Sequence, residues 1–226
     1  MKDMTNYFNQ SAQINSTAGF VPLPLELDIT MKILALAPQF YIRDTHGQQV
    51  GYIKQKLFRF KEAIDIFSDD QKTILRYKIA SDRVIDFSAN YHFISMRDGM
   101  IGRTKQNGLK SLWRTEFEIL DASNSRNEGT RFFIRLENPL TQFIEGLLGM
   151  IPIVGDILNL VSGYFLNPTY SVTTIGGDEV ATMKKLPALW EGKYQIRATQ
   201  IVNERDSELI ALSLLTLILM QRTSDG

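Results

Sequence analysis

The chain has 226 residues, of which 44% are hydrophobic. That is enough to bury one large core, so we expect a single domain rather than two. Lysine plus arginine equals aspartate plus glutamate, at 25 each, so the net charge favours neither nucleic acid nor an anionic surface as a partner. Cysteine is absent and only two histidines are present, which excludes disulfides, thiolate catalysis and histidine-rich metal centres.

The first segment, residues 1–20, is rich in asparagine, glutamine, serine and threonine, and it lacks the basic and then apolar pattern of a signal peptide. We therefore expect a disordered tail there and a cytoplasmic protein. Residues 21–226 are assigned to the single domain. Its first part, Val21–Leu25, is predicted to be extended because each proline disfavours helix at the residue before it.

Short runs of alternating apolar and polar residues fill the chain from about residue 40 to residue 120. The turn signals that separate them are Asp44–Gly47, Ser68–Asp70, Asp98–Gly99 and Asn107–Gly108. Short strands at this spacing predict an antiparallel meander, either open or closed into a barrel.

A weak repeat supports this interpretation. Phe40–Lys54 can be laid over Tyr170–Lys184 without a gap, which places Gly47 over Gly177 and Lys54 over Lys184. A looser third copy begins at Phe93. Each copy is predicted to be one hairpin, with glycine supplying the turn.

A basic segment with interleaved aromatic residues follows the first copy. Its four cationic residues are Lys54, Lys56, Arg59 and Lys61. Several cations close together suit an anionic contact such as a lipid headgroup or nucleic acid. The alternative is a strand and turn whose long basic side chains cover the barrel exterior. Nucleic acid is not expected, because the region around this segment has little basic excess.

The stretch from Asn138 to Pro168 breaks the strand pattern. Asn138 and Pro139 are a good helix start, apolar residues then recur at helical spacing, and Pro152 divides the run. The sequence predicts two amphipathic helices, an inserted helical hairpin over residues 139–168. Its two stripes include Phe143, Leu147 and Ile151, and then Ile157, Val161 and Phe165.

Three roles remain open for this predicted hairpin. Its stripes could pack on each other and on the barrel wall. They could instead lie in a membrane interface, although the polar face lacks the lysines and arginines usual there. The same apolar surface could also bind a protein partner or a second copy of the chain.

The last element, Leu209–Met220, contains no charge, and only Ser213 and Thr216 interrupt its apolar residues. As a helix it would span about 18 Å, which is less than the roughly 30 Å of a bilayer's hydrocarbon core. It is apolar on all sides, a pattern typical of a helix surrounded by protein. In a strand-rich chain we expect it in the middle of a barrel.

No residue set indicates catalysis. His46 lies in a predicted turn, where a surface histidine is expected, and His92 alternates with aromatic residues in a strand. Nucleophile and phosphate-binding motifs are absent, and the carboxylates of Asp69–Asp70 and Asp178–Glu179 are explained by hairpin turns. We therefore expect no enzyme activity, no metal and no cofactor.

Several segments carry a resemblance to a known family. They are Phe40-Tyr-Ile-Arg-Asp, Gly51-Tyr-Ile-Lys, the basic strand Lys56-Leu-Phe-Arg-Phe, Asp98-Gly99, and Tyr194-Gln-Ile-Arg ahead of the apolar helix. In these segments the chain resembles the LURP-one-related family, which shares its fold with Tubby C-terminal domains and phospholipid scramblases. The similarity runs from about residue 30 to residue 222 outside the predicted hairpin.

The resemblance implies an α+β domain, a closed antiparallel barrel of about twelve strands around a buried hydrophobic C-terminal helix. It also implies a non-enzymatic module that contacts lipid or associates peripherally with a membrane. The chain lacks the cysteine-rich and acidic calcium-binding segments of scramblases, so calcium-driven lipid transport is not expected. The alternative is a soluble protein-binding scaffold that uses the 139–168 hairpin as a partner or dimer interface.

Overall fold

The computed structural model describes residues 20–32, 37–54, 63–82, 90–106, 116–122, 129–137, 169–188 and 191–224. These residues form twelve β-strands and one α-helix. The strands are β1 (Leu27–Lys32), β2 (Gln39–Arg43), β3 (Gln49–Lys54), β4 (Ile64–Phe67), β5 (Leu75–Ser81), β6 (Asn90–Ser95), β7 (Gly99–Gln106), β8 (Glu116–Asp121), β9 (Thr130–Glu137), β10 (Thr169–Thr174), β11 (Glu179–Leu186) and β12 (Glu191–Ala198). The helix is α1 (Glu204–Ser224).

The strands form one closed barrel in which each strand pairs antiparallel with its neighbours in the chain. Closure is made by β1 and β12, whose register runs from Leu27 opposite Ile196 to Lys32 opposite Glu191. A closed barrel leaves no sheet edge for another chain to join. The predicted antiparallel barrel of about twelve strands is confirmed.

Side chains alternate between the two faces of the wall, as the two-residue period of a strand requires. In β1, Ile29 and Met31 are buried, whereas Thr30 and Lys32 lie on the outer face. The inner face is aliphatic and aromatic along almost every strand, and it closes on helix α1.

Helix α1 fills the barrel. The seven side chains predicted to be buried are all at most 2% exposed: Leu209, Leu212, Leu214, Leu215, Leu217, Ile218 and Leu219. The hydroxyls of Ser213 and Thr216 donate to the carbonyl oxygens of Leu209 and Leu212, each at 2.7 Å, so neither leaves a donor unpaired in the core. The central-helix prediction is therefore confirmed.

Polar side chains fix the point where the helix enters. Asn203 caps it, since its Oδ1 accepts from the N–H of Asp206 at 2.8 Å. Arg131 of β9 donates to both carboxylate oxygens of Asp206 at 2.8 Å. Arg205 donates to the carbonyl of Ile101 in β7 at 2.7 Å. The first turn is thus tied to two different strands of the wall.

The predicted repeat corresponds to three similar hairpins, β2–β3, β6–β7 and β10–β11. Their turn glycines, Gly47, Gly99 and Gly177, all have φ between 73° and 94°, a conformation that side chains other than glycine's rarely adopt. Each hairpin also contains one register shift in its first strand. The prediction of one glycine-turned hairpin per copy is confirmed.

The barrel has two distinct ends. The entry end holds the start of α1 and the turns at residues 44–48, 68–74, 96–98 and 175–178. The far end holds Lys32, Lys54 and Glu191, which stand at the ends of β1, β3 and β12. Because the strands alternate in direction, the connections that follow β3 and β9 both leave the barrel at the far end.

The predicted fold class is wrong in one part, the inserted helical hairpin. The described residues contain a single helix, α1, and no inserted hairpin. Residues 139–168, to which the hairpin was assigned, lie outside the described residues, as do Asn107–Gly108 and the tail up to residue 19. The prediction rested on apolar spacing and gave too little weight to four glycines in the segment, each of which disfavours helix by about 1 kcal/mol.

Truncating the centre of α1 should destabilise the protein. Leu215→Ala removes a side chain that is 1% exposed, and we expect the free energy of unfolding to fall by about 2–5 kcal/mol. Urea denaturation followed by circular dichroism measures the change. Ile175→Ala, at a position that is 68% exposed, is the control and should change it by less than about 0.5 kcal/mol. Equal effects of the two variants would rule out the central helix.

Candidate functional site

The two histidines lie where the sequence predicts them. His46 is exposed in the β2–β3 turn, where its backbone N–H donates to Oδ1 of Asp44 at 2.9 Å. His92 is packed in β6 and is 7% exposed. The two side chains lie in different places, one in a turn and the other in the wall, and they form no joint site.

The carboxylate of Asp69 stabilises the turn in which it lies. Asp69 accepts hydrogen bonds from the hydroxyls of Thr73 and Ser68 and from the backbone N–H of Thr73. The bond from the Thr73 hydroxyl is the main cause that lowers the pKa of Asp69 below its ordinary value. Within the described residues, no group of three or more histidine or acidic side chains could hold a metal ion.

Among the described residues, one carboxylate is fully buried, that of Glu208 near the start of α1. Its Oε1 accepts from the hydroxyl of Tyr77 at 2.5 Å, and its Oε2 lies 3.7 Å from Nη2 of Arg97. Burial raises the pKa of Glu208, against the lowering effect of Tyr77 and Arg97. Burial likewise raises the pKa of Tyr77, and the carboxylate of Glu208 raises it further.

This buried group holds the chain that precedes β1 against the barrel. The Tyr77 hydroxyl accepts from the N–H of Leu23 at 3.1 Å, and the ring of Phe20 packs edge-on against that of Tyr77. The guanidinium of Arg97 lies over the same Phe20 ring, 5.0 Å from its centroid. The cluster thus connects the helix, the wall and the lead-in segment, and its role is structural.

A second cluster lies on the outer wall, where the barrel closes. We call it the seam patch: Lys32, Tyr41, Lys54, Lys184 and Lys193. It covers the far-end halves of five adjacent strands, β3, β2, β1, β12 and β11. At a strand spacing of about 4.8 Å, the outer strands of this set are roughly 19 Å apart.

Strand register brings these side chains onto one face. Lys32 and Lys54 both pair across Gln39, and Tyr41 and Lys193 both pair across Thr30. Lys184 pairs with Gln195 in the next row. The residue before each lysine is buried, so the pleat directs the lysines outward. These four buried residues are Met31, Ile53, Met183 and Gly192.

The seam patch has a strong local excess of positive charge. All four of its lysines are exposed. Glu191 is the only carboxylate in the far-end halves of these five strands, counting the described residues alone. It is 3.9 Å from Nζ of Lys193, and its single negative charge leaves three of the four lysine charges unbalanced. Within the described ranges, neither Lys54 nor Lys184 forms an ion pair.

Aromatic rings lie beside the cations. Nζ of Lys32 is 4.9 Å from the ring centroid of Tyr41, and the guanidinium of Arg43 is 5.6 Å from it. The Tyr41 ring meets that of Tyr52 edge-on, with centroids 5.3 Å apart. Tyrosine at a basic surface is suited to an interface, because its ring is apolar and its hydroxyl stays hydrated.

Of the predicted site residues, the structure places one, Lys54, in this patch. The other predicted cations, Lys56, Arg59 and Lys61, lie outside the described residues, and so do Phe143, Leu147, Ile151, Ile157, Val161 and Phe165. Sequence reasoning missed Lys32, Lys184 and Lys193 as site residues. The repeat contained one usable signal, since it aligns Lys184 with Lys54.

Comparisons with protein-family models, curated proteins and solved structures find no match to this chain. In the described part of the chain, no helix is long and apolar enough to span a membrane.

The buried carboxylate predicts a pH dependence of stability. The folded-state pKa of Glu208 is raised, so its protonated form favours folding, and this contribution is lost as pH rises through that pKa. Glu208→Gln cannot ionise. We expect the free energy of unfolding, measured from pH 4 upward, to fall less steeply with pH in Glu208→Gln than in the native chain.

Tyr77→Phe is the companion variant for this measurement. It removes the hydroxyl that stabilises the charged form of Glu208, so it should extend the loss of stability to higher pH. Identical pH profiles for the native chain and both variants would contradict the assignment.

Proposed function

We propose that the protein is a non-enzymatic module that binds peripherally to membranes through its seam patch. The observation that carries the proposal is the set of four exposed lysines, on four of five adjacent strands, with one carboxylate among them. An array of this kind suits a surface of many negative charges better than a single small anion. The ligand class is anionic phospholipid, at the cytoplasmic face of a membrane, where such lipids are abundant.

The magnitudes support a reversible contact. Each lysine or arginine near an anionic membrane surface contributes about 1 kcal/mol, so four lysines contribute roughly 4 kcal/mol at physiological salt. The ring of Tyr41 can enter the headgroup region beside Lys32, as tyrosine does at membrane interfaces. The sum corresponds to peripheral binding that salt weakens, and no membrane-spanning element is needed.

The direction of the chain adds to this support. Lys54 ends β3 at the far end of the barrel, and the sequence continues directly into Lys56, Arg59 and Lys61. The sequence that follows the patch at this end therefore carries three further positive charges within the next seven residues. We propose the far end of the seam as the side that faces the membrane.

We also propose that the resemblance to the LURP-one-related family reflects common ancestry. A twelve-stranded barrel around an apolar C-terminal helix is the architecture that the resemblance implies, and it is the architecture described above. A lipid-contacting role agrees with the same resemblance. The alternative of a protein-binding scaffold rested on an inserted helical hairpin and is not carried further.

Vesicle flotation tests the proposal. We expect the native chain to float with vesicles of phosphatidylcholine and phosphatidylserine, to remain behind with phosphatidylcholine alone, and to be released by high salt. Lys54→Gln combined with Lys184→Gln removes two of the four lysines. At about 1 kcal/mol each, this should weaken binding roughly 10- to 30-fold.

The matched control is Lys72→Gln combined with Lys105→Gln. Lys72 lies at the entry end of the barrel. Lys105 lies at the far end, but on β7, which is six strands away from β1 around the barrel. This variant loses the same charge and should float like the native chain. Equal losses in both variants, or equal flotation with both kinds of vesicle, would overturn the proposal.

A further inference from the structure

A second site lies at the entry end of the barrel, on the same strands as the seam patch. It is a cleft of about 570 Å³, bounded by the lead-in residues Pro24–Glu26, the turn residues Asp44–His46, residues Ala198–Val202 and Ser207 of α1. Its volume falls within the range of pockets that bind small ligands. No role in the lipid contact is assigned to it.

Hydrogen bonds hold two walls of the cleft in place. Oδ1 of Asp44 accepts from the N–H groups of His46 and Gln48, at 2.9 Å and 2.8 Å, which fixes the turn. The N–H of Thr199 donates to the backbone carbonyl of Val180 at 3.0 Å, and its hydroxyl donates to the backbone carbonyl of Glu179 at 2.9 Å. A ligand therefore meets a preformed cleft, and binding costs little ordering of the protein.

The charges of the lining are of one sign. Glu26 and Asp44 contribute carboxylates, and none of the described residues that line the cleft is a lysine or an arginine. Neither carboxylate has an ion-pair partner among the described residues. Both turn bonds to Asp44 use Oδ1, so Oδ2 accepts no hydrogen bond within the described part of the chain. Two carboxylates without a counterion favour a cationic ligand.

Apolar surface surrounds these carboxylates. Leu25 is buried beneath the cleft, and Pro24 and Val202 are half-buried beside it. Ile201 stands at its rim and is 102% exposed, the most exposed of the large hydrophobic residues described. A ligand that carries apolar groups next to its cation would cover this side chain, which a small hydrated cation would not.

We propose that this cleft binds a short segment of a partner protein in which a lysine or arginine lies next to apolar side chains. The cation pairs with Glu26 and Asp44, and an apolar neighbour covers Ile201. Exposed polar residues on the rim, Thr45 and Gln200 among them, can bond the backbone of the segment. The inference does not depend on the lipid contact, because cleft and patch lie at opposite ends of β1 and β12.

Titration of the ¹⁵N-labelled full chain with two end-blocked pentapeptides tests this, Ala-Leu-Arg-Leu-Ala and Ala-Leu-Glu-Leu-Ala. We expect the arginine peptide to shift the amide signals of the cleft and the glutamate peptide to leave them unchanged. Glu26→Gln with Asp44→Asn keeps the turn acceptor but removes both charges, and it should weaken binding about three- to tenfold. Ile201→Ser should weaken it about threefold or more.

The matched control is Asp70→Asn with Asp178→Asn, which removes two turn carboxylates that do not line the cleft. It should bind the arginine peptide like the native chain. Equal shifts with both peptides, no shifts at the cleft, or equal weakening in the control variant would overturn the proposal. Arginine amide binding as tightly as the pentapeptide would overturn the peptide assignment in favour of a small cation.

Discussion

The structure depends on the burial of one apolar helix inside a closed wall. From Leu209 to Met220 helix α1 is apolar on every side, so no single sheet face could cover it. The wall has the complementary need, because twelve strands close around a space too wide for their own side chains to fill. Each large side chain that becomes buried stabilises the fold by about 1.5–3 kcal/mol, and helix and wall contribute together.

Close approach between helix and wall follows from this arrangement. A Cβ on Gly102 of β7 would overlap both the Leu209 side chain and the backbone carbonyl of Leu120. Glycine is therefore required at this contact between the wall and the helix. At the entry end the helix instead meets the wall through charges, with Asp206 and Arg205 bonded to Arg131 and Ile101. Polar contacts thus fix the helix to the wall at the edge of the apolar interior.

The parts of the fold that sequence could predict are those encoded locally. An uncharged run such as Leu209–Met220 identifies a buried helix, and glycine turns such as Gly47 and Gly177 identify hairpins. A closed barrel then follows from the need to cover that helix. In residues 139–168, by contrast, apolar spacing alone could not establish a helix against the cost of four glycines.

The candidate sites could not be predicted because they join distant residues. An exposed lysine on a strand is ordinary, and Lys32, Lys184 and Lys193 gain meaning only through the register of β1, β11 and β12. The bond between Tyr77 and Glu208 joins residues 131 positions apart, and no local pattern marks it. The cleft is assembled from three connections and one helix residue. Each of these features required the tertiary structure.

Closure of the barrel has a kinetic consequence. The ion pair between Arg197 and Asp28 joins residues 169 positions apart, and such long-range pairing is slow because loop-closure entropy opposes it until the contact forms. The seam patch exists only once β1 and β12 have paired, since its lysines come from both ends of the chain. A ligand of the patch therefore binds the closed barrel alone and stabilises it by mass action. Under the proposed lipid contact, the lifetime of the folded protein becomes a property of its surroundings, longer at an anionic membrane than away from one.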